Sequence, residues 1–233
     1  MLFTSLLATI IVLMAQEQHV KEIKNSLAAL DNIFNKEGIN YRVVGSVLVA
    51  AINEKPHRTL GDIDILLERS NWQLVADNLK REGYQLVKKS KVGFNWFEAH
   101  KTNSLGFTFL LIGSFQDDYF EYELNHMLKL RIASSYLSPT KYSIFGYSFT
   151  GIPQRSIYEG LKASNLNPKR KLDKQVVASA FKNKIPKGTE FEKAFRIYLY
   201  GREIPYAYPS FSYLYNLYGG LRVTFGKKYE IWN

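Results

Sequence analysis

The spacing of apolar residues predicts a helix, a strand and a second helix in the first part of the chain. Five apolar residues recur at helical spacing between positions 16 and 36: Val20, Ile23, Leu27, Leu30 and Phe34. Gly38 can end this helix. The apolar run at 41–44 then predicts a short buried strand, residues 46–52 an apolar helix, and the polar residues 53–61 a loop.

Residues 62–67 alternate between acidic and apolar side chains. Asp62 and Asp64 are interleaved with Ile63, Ile65 and Leu67. This period of two predicts a strand with one apolar face and one face that carries both carboxylates. Two like charges held about 7 Å apart repel each other. A divalent cation that also binds phosphate is the usual way in which such a pair is stabilised.

The remaining pattern divides the rest of the chain into further elements. It predicts three strands, at 84–87, 96–100 and 107–112, and a strand pair around Gly146 within 142–149. It predicts five helices, at 71–82, 121–134, 154–163, 173–182 and 190–200. Beyond Gly201 the chain becomes rich in Tyr and Gly.

The first fifteen residues are mostly apolar and carry no charged side chain. They are too few to cross a bilayer, which takes about 20 residues. A signal peptide is disfavoured because no basic residue precedes Lys21 and Leu13-Met14-Ala15 is a poor cleavage site. We therefore interpret this run as the start of a buried helix in a cytoplasmic protein with no stable membrane span. A membrane or secretion role is the alternative.

Composition and net charge limit the partners that the protein can bind and the catalytic or metal-binding groups that it can use. The 31 Lys and Arg residues against 21 Asp and Glu give a net charge of +10, which favours nucleotides, nucleic acid or an anionic membrane as partners without choosing among them. A basic protein without such a partner is equally consistent with the charge. The absence of cysteine excludes disulfides, thiolate metal sites and cysteine nucleophiles. The four histidines have no metal-binding spacing, which argues against zinc.

Two motifs together resemble the nucleotidyltransferase superfamily, whose members share a polymerase-beta-like minimal fold. Val44-Gly45-Ser46 matches the pattern of a hydrophobic residue followed by Gly and Gly or Ser, and Asp62-Ile63-Asp64-Ile65 matches the acidic pair that follows after a gap. His57-Arg58-Thr59 and Gly83-Tyr84 strengthen the match. The layout is similar to lincosamide and aminoglycoside nucleotidyltransferases over residues 20–115, with further similarity at Leu161-Lys162 and Lys171-Leu172-Asp173.

The resemblance implies an α+β fold, in which helices flank a mixed β-sheet. We assign residues 1–150 to a nucleotidyltransferase-like domain with an N-terminal apolar helix. We assign residues 151–233 to a mainly helical, Tyr-rich C-terminal extension.

The resemblance also implies a reaction and a site. The reaction would move a nucleoside monophosphate from a nucleoside triphosphate to a hydroxyl group of a small-molecule acceptor, with loss of pyrophosphate. Asp62 and Asp64 would hold Mg²⁺. Candidate nucleotide-binding residues are Gly45, Ser46, Arg58, Thr59 and Lys162. Each also has an ordinary structural interpretation: Ser46 can cap the helix, and lone Arg or Lys side chains are usually solvated. The same holds for the basic run at 169–171.

One feature departs from the family pattern. Active members usually carry a third acidic residue on a neighbouring strand, and 107–112 contains none. Glu98, on the preceding predicted strand, is the candidate catalytic replacement, and Asp117 and Asp118 follow the strand. Without such a base, catalysis loses a factor of about 10²–10⁴. A catalytically degenerate nucleotide-binding or regulatory module therefore remains an alternative. An RNA-directed transferase is another, suggested by the net charge and the aromatic tail at 198–232.

Overall fold

A computed structural model describes residues 2–91, 94–115, 118–123, 127–162, 168–181 and 194–204. The helices in these ranges are α1 (Leu2–Leu30), α2 (Gly45–Ile52), α3 (Trp72–Arg81), α4 (Gln154–Lys162) and α5 (Pro168–Ala180). The strands are β1 (Tyr41–Val44), β2 (Asp62–Glu68), β3 (Gln85–Lys91), β4 (Phe94–His100), β5 (Gly106–Ile112), β6 (Tyr119–Glu123), β7 (Leu128–Ala133), β8 (Thr140–Ile144), β9 (Tyr147–Gly151), β10 (Phe195–Leu199) and β11 (Arg202–Ile204). A π-helical turn, Asp31–Asn35, extends α1.

The strands form two sheets. The larger sheet has seven strands in the order β3-β4-β5-β2-β1-β9-β8. It is mixed, because β2 runs parallel to β5 and β1 parallel to β9, while the other neighbours are antiparallel. The smaller sheet is antiparallel, in the order β11-β10-β7-β6. The predicted α+β class with a mixed sheet flanked by helices is confirmed.

The two faces of β2 differ as its alternating sequence predicts. Ile63, Ile65 and Leu67 are fully buried, whereas Asp62 and Asp64 on the other face are half-buried. The buried face belongs to an aromatic core to which α1 and α3 contribute. The Phe34 ring lies 6.3 Å from that of Phe109, and the Trp72 ring 4.3 Å from that of Phe97, centroid to centroid. Burying one face against the helices leaves the other face of the strand available for polar side chains.

Most predicted elements are confirmed. The confirmed strands are those at 41–44, 62–67, 84–87, 96–100 and 107–112 and the pair within 142–149; the confirmed helices are those at 16–36, 46–52, 71–82 and 154–163. The helix predicted at 173–182 begins earlier, at Pro168, which suits a first helical position because proline has no N–H to leave unpaired. The division at residue 150 stays a prediction. So does the aromatic tail at 198–232, of which only 198–204 are described, in β10 and β11 and the turn between them.

Two predicted helices are wrong. Within the helix predicted at 121–134, residues 121–123 belong to β6 and 128–133 form β7; within the one predicted at 190–200, residues 195–199 form β10. Positions 124–126 and 190–193 lie outside the described residues. Burial alternates along β6, and Phe120, Ile132 and Ile197 are the buried residues that β6, β7 and β10 place on one face of the sheet. Their polar faces are joined by cross-strand ion pairs, such as the one in which Arg131 Nε lies 3.0 Å from Glu121 Oε2. Strand pairing therefore outweighed the local helical spacing.

The N-terminal run is helical but its described side chains are not buried. Ile10, Ile11, Val12, Leu13 and Met14 are between 44% and 64% exposed, which corrects the prediction of a buried helix start. The helix enters the core only further along, at Ile23 and Leu27. Within the described part of the chain, no helix is both long and apolar enough to cross a membrane.

Candidate active site

The Gly-Ser bend and the acidic strand meet at the junction of β1, α2 and β2. Val44 pairs with Asp64 across the two antiparallel strands. The next residue, Gly45, has φ +73°, which glycine adopts without strain. A Cβ atom at Gly45 would lie 2.1 Å from Asp64 Oδ2. The Asp64 carboxylate therefore occupies the space that the missing side chain leaves, and Ser46 is buried beside it in the first turn of α2.

This contact predicts a specific effect of Gly45→Ala. Gly38→Ala is the matched control, because Gly38 also has positive φ (+64°) but nothing lies within 4 Å of its Cβ position. The control is expected to lose about 1–2 kcal/mol of unfolding free energy from backbone strain alone. Gly45→Ala is expected to lose roughly 2–4 kcal/mol, because steric displacement of Asp64 adds to the strain. Chemical denaturation measures both; equal losses would contradict the packing.

Asp62 and Asp64 repel each other in a site of low polarity. Burial, and then the charge of Asp62, raise the pKa of Asp64 to about 7. Thr108 on β5, which pairs with Asp64 across the strands, donates a hydrogen bond from Oγ1 to Asp62 Oδ2 at 2.5 Å. The acidic face of β2 therefore carries more negative charge than its surroundings stabilise.

The donor set at this face fits a hard divalent cation. Among the described residues, no group of three or more His, Asp and Glu side chains converges as a closed metal site. Mg²⁺, however, is usually held by one or two carboxylates together with water and substrate phosphates. Asp62 and Asp64, with the Thr108 hydroxyl beside them, meet that requirement, and the unfavourable charge of the pair gives a physical reason for a cation to bind.

Three cationic side chains act on the carboxylate pair. Arg170 and Arg58 both oppose the rise in the pKa of Asp64. Lys169 interacts with Asp62 and Asp173, and burial together with the charges of Arg58 and Arg170 lowers its pKa. Lys169 and Arg170 were missed as site residues because the run 169–171 has the composition of a solvated helix start. Pro168 could have indicated them, because proline is favoured at the first position of a helix and so predicts that α5 begins there.

A buried ion-pair network fixes the loop between α2 and β2 to α5. The Asp173 carboxylate is fully buried and accepts hydrogen bonds from Arg58 Nε and Nη2, both at 2.9 Å. His57 Nε2 lies 2.7 Å from the same carboxylate. Burial raises the pKa of Asp173, but the hydrogen bonds from His57 and Arg58 outweigh it and the pKa is lowered. We call these three residues the loop clamp.

The loop clamp changes the interpretation of Arg58 and Thr59. Arg58 is 5% exposed, and its remaining nitrogen, Nη1, donates to the Thr59 carbonyl at 3.0 Å. The guanidinium is thus committed to protein partners and acts on Asp64 through its charge. Thr59 is half-buried. Lys162 lies at the end of α4, and its side chain is outside the described part of the structure.

A second anchor holds the end of the same loop. His19 on α1 is buried, and its Nε2 accepts a hydrogen bond from the backbone N–H of Leu60 at 2.9 Å. Leu60 is two residues before Asp62. The loop that leads into the acidic strand is therefore fixed from both sides, by α1 and by α5.

Glu98 lies on the acidic face of the sheet, two strands from β2. It pairs with Thr108, which in turn pairs with Asp64, so the three form one cross-strand row. Trp96 Nε1 donates to Glu98 at 2.8 Å, and His100 Nε2 lies 3.1 Å from its other oxygen. Burial raises the pKa of Glu98, but these hydrogen bonds outweigh it and the pKa is lowered. Asp118 is exposed, and Asp117 lies outside the described residues.

Comparison with known proteins reveals a structural relationship and no sequence match. No protein-family model and no curated protein matches the chain. The lincosamide antibiotic adenylyltransferase LnuA, in a lincomycin-bound crystal structure, superposes with a TM-score of 0.55 at 17% identity, over 67% of this chain and 96% of that one. The crystal structure of ANT(2″)-Ia in complex with adenylyl-2″-tobramycin gives a TM-score of 0.48 at 12% identity, over 66% of this chain and 84% of that one. The LnuA superposition shows that this chain has the nucleotidyltransferase fold.

Proposed function

We propose that the protein is a Mg²⁺-dependent nucleotidyltransferase that moves a nucleoside monophosphate from a nucleoside triphosphate to a hydroxyl group of a small molecule. The observation that carries the proposal is the junction of Gly45 with Asp64. It brings the start of α2, two carboxylates on one strand face and a cluster of cations to one place. Phosphoryl-type transfer depends mainly on positioning and charge neutralisation, which such a site can supply.

In this proposal each group has one task. Asp62 and Asp64 hold Mg²⁺, which, when bound, neutralises charge on the triphosphate oxygens. Gly45 and Ser46 present backbone N–H groups at the start of α2 to the β- and γ-phosphates. Lys169 and Arg170 neutralise the pyrophosphate as it leaves, while Arg58 keeps a fixed positive charge nearby. Lys162 and Thr59 remain candidate nucleotide contacts from the sequence.

The transfer step itself is a substitution at phosphorus. The acceptor oxygen forms a bond to the α-phosphorus, the bond from that phosphorus to the bridging oxygen breaks, and pyrophosphate leaves. The hydroxyl proton passes to a base, for which we propose Glu98, because it shares the acidic face with Asp64. Its lowered pKa keeps it ionised at neutral pH but also makes it a weak base.

The test is release of pyrophosphate. The full chain is incubated with each of the four nucleoside triphosphates, Mg²⁺ and a panel of hydroxyl-bearing small molecules, including aminoglycosides and lincosamides. We expect acceptor-dependent release that stops when EDTA removes the metal and returns when Mg²⁺ is added back. Glu98→Gln is expected to lower kcat by about 10²-fold, with Glu37→Gln, an exposed acid elsewhere, as the control. Absence of release with every acceptor would contradict an enzymatic role.

A second candidate function is a nucleotide-binding module without transferase activity. It is favoured by Thr108, a hydroxyl side chain that stands on β5 directly opposite Asp64, on the strand where no acid occurs. Mg²⁺-dependent binding of a nucleoside triphosphate without pyrophosphate release in the same assay would support this module and reject the enzyme.

A further inference from the structure

The exposed apolar part of α1 is unlike the rest of the surface. Ile10 to Met14 are five successive apolar residues, each at least 44% exposed; we call them the apolar tip. Successive residues of an α-helix are separated by about 100°, so five of them cover every side of the helix. A helix that packs on a protein partner needs only one apolar stripe, whereas a helix that is apolar all round is typical of a protein core or of lipid.

The extent of the apolar tip indicates how it can meet lipid. No helix of the described residues is both long and apolar enough to cross a membrane. The five residues of the tip extend for about 7.5 Å at 1.5 Å per residue. This is much less than the hydrocarbon core of a bilayer, about 30 Å, and can be accommodated within one leaflet. The tip is therefore suited to an interfacial position.

Basic residues lie where the apolar tip joins the body of the protein. Lys21 and Lys24 on α1 and Lys55 in the loop between α2 and β2 line a cavity of about 1090 Å³ beside the tip. Its apolar walls come from both α1 and α5: Ile10, Leu13, Met14, Val20, Leu172 and Val176. Glu17 is the one acid among the cavity's lining residues. Lys24, which is exposed, places its Nζ over the Phe145 ring, 5.5 Å from the ring centroid.

We propose that the protein docks on an anionic membrane surface through α1. The apolar tip inserts among the acyl chains of one leaflet, and Lys21, Lys24 and Lys55 contact the anionic headgroups. Each lysine near an anionic surface strengthens binding about fivefold, and single apolar anchors need such a second signal for stable binding. The net charge of +10 favours this surface over a second copy of the chain, because two copies repel each other. The inference does not depend on the proposed transferase activity.

The experiment is co-sedimentation of the full chain with vesicles. Vesicles of phosphatidylcholine alone are compared with vesicles that also contain phosphatidylserine. We expect binding to the anionic vesicles that weakens as salt is raised, and little binding to the neutral ones. Leu13→Glu is expected to reduce binding to the background. Lys21→Gln with Lys24→Gln is expected to weaken it by about tenfold or more, because two headgroup contacts are lost.

Matched variants separate this result from general effects of charge and hydrophobicity. Leu74→Glu introduces the same charge at another exposed leucine, 45% exposed on α3. Lys80→Gln with Lys88→Gln removes two exposed lysines from another part of the protein. Both are expected to bind as the unmodified protein does, and circular dichroism melting checks that every variant is folded. Equal binding to neutral and anionic vesicles, or undiminished binding by Leu13→Glu, overturns the proposal. The proposal is also overturned if the unmodified protein does not bind vesicles but self-associates, and Leu13→Glu abolishes that self-association.

Discussion

Asp64→Asn is expected to abolish nucleotidyl transfer and, at the same time, to make the folded protein more stable at alkaline pH. The loss of activity, about 10³-fold or more, follows from removing a ligand of the proposed Mg²⁺ site, where charge neutralisation is worth several kcal/mol. The gain in stability follows from removing one of two carboxylates that repel each other on β2.

The pH dependence of this effect has a definite sign. The pKa of Asp64 is raised in the folded state from its ordinary value of 3.8 to about 7. Between these values the folded chain binds a proton that the unfolded chain does not, so the free energy of unfolding falls as pH rises through this window. In Asp64→Asn this decrease in the free energy of unfolding with rising pH is absent. Because Asp64 is half-buried and partly screened by water, we expect the variant to be about 1–3 kcal/mol more stable at pH 8 and unchanged near pH 4.

Chemical denaturation at the two pH values, without added metal, measures the stability, and the pyrophosphate assay measures the activity. Asp77→Asn on α3 is the control, because it removes a carboxylate whose side chain is 43% exposed. Its partners there are Lys80, whose Nζ lies 3.7 Å away, and Gln73, whose Nε2 donates to it at 3.0 and 3.2 Å. Asp77→Asn is expected to change neither quantity. Full transferase activity in folded Asp64→Asn would refute the assignment of the metal site, whereas lower stability at pH 8 would refute the repulsion.

Asp173→Asn is expected to have the largest effect on stability. The substitution keeps the shape of the side chain but leaves Arg58, which is 5% exposed, with an uncompensated charge. Breaking a buried pair in this way costs about 3–5 kcal/mol. The pKa of Asp173 is lowered in the folded state, so its contribution is present above the unfolded pKa and is lost as pH falls through the folded one. Acid should therefore destabilise the unmodified protein more steeply than the variant.

Glu203→Gln, which breaks an exposed ion pair, is the control for Asp173→Asn, which breaks the buried ion pair of the loop clamp. It breaks an ion pair with Arg196 in which both side chains are at least 40% exposed, and is expected to cost less than about 1 kcal/mol. Combining Asp173→Asn with Arg58→Met removes the stranded charge and should recover part of the loss. If Asp173→Asn cost no more than Glu203→Gln in urea denaturation, the clamp would have no structural importance.

The sequence was sufficient to predict the structure where a single strand contains both the alternating pattern and the acidic side chains. Alternation at Asp62 to Leu67 predicted β2 and the shared face of the two acids. Gly45 was predicted as a phosphate contact, and nothing in the sequence indicated that the Asp64 carboxylate fills the space beside it. Local spacing failed in the second sheet, where β6, β7 and β10 are held by pairing between distant segments. A helix and a strand cannot be told apart there without knowing the partner strand.

The sequence did not reveal the groups that complete the site from a distance. Asp173 was noted only within Lys171-Leu172-Asp173, which resembles the family pattern, and only the fold brings it to His57 and Arg58. Lys169 and Arg170 were hidden in a run of basic residues for the same reason. The exposure of Ile10 to Met14 was also missed, because an apolar sequence alone does not distinguish a core from a surface that lipid covers.

The loop clamp has a consequence for how the chain is made. Arg58 and Asp173 are 115 positions apart in the chain. A ribosome therefore finishes the acidic strand long before it delivers the helix whose carboxylate the arginine requires. Until then Arg58 lacks the carboxylate that accepts its hydrogen bonds in the folded protein, and closing a loop of this length is entropically costly. The loop that leads into the acidic strand is therefore anchored to α5 only after α5 has been made.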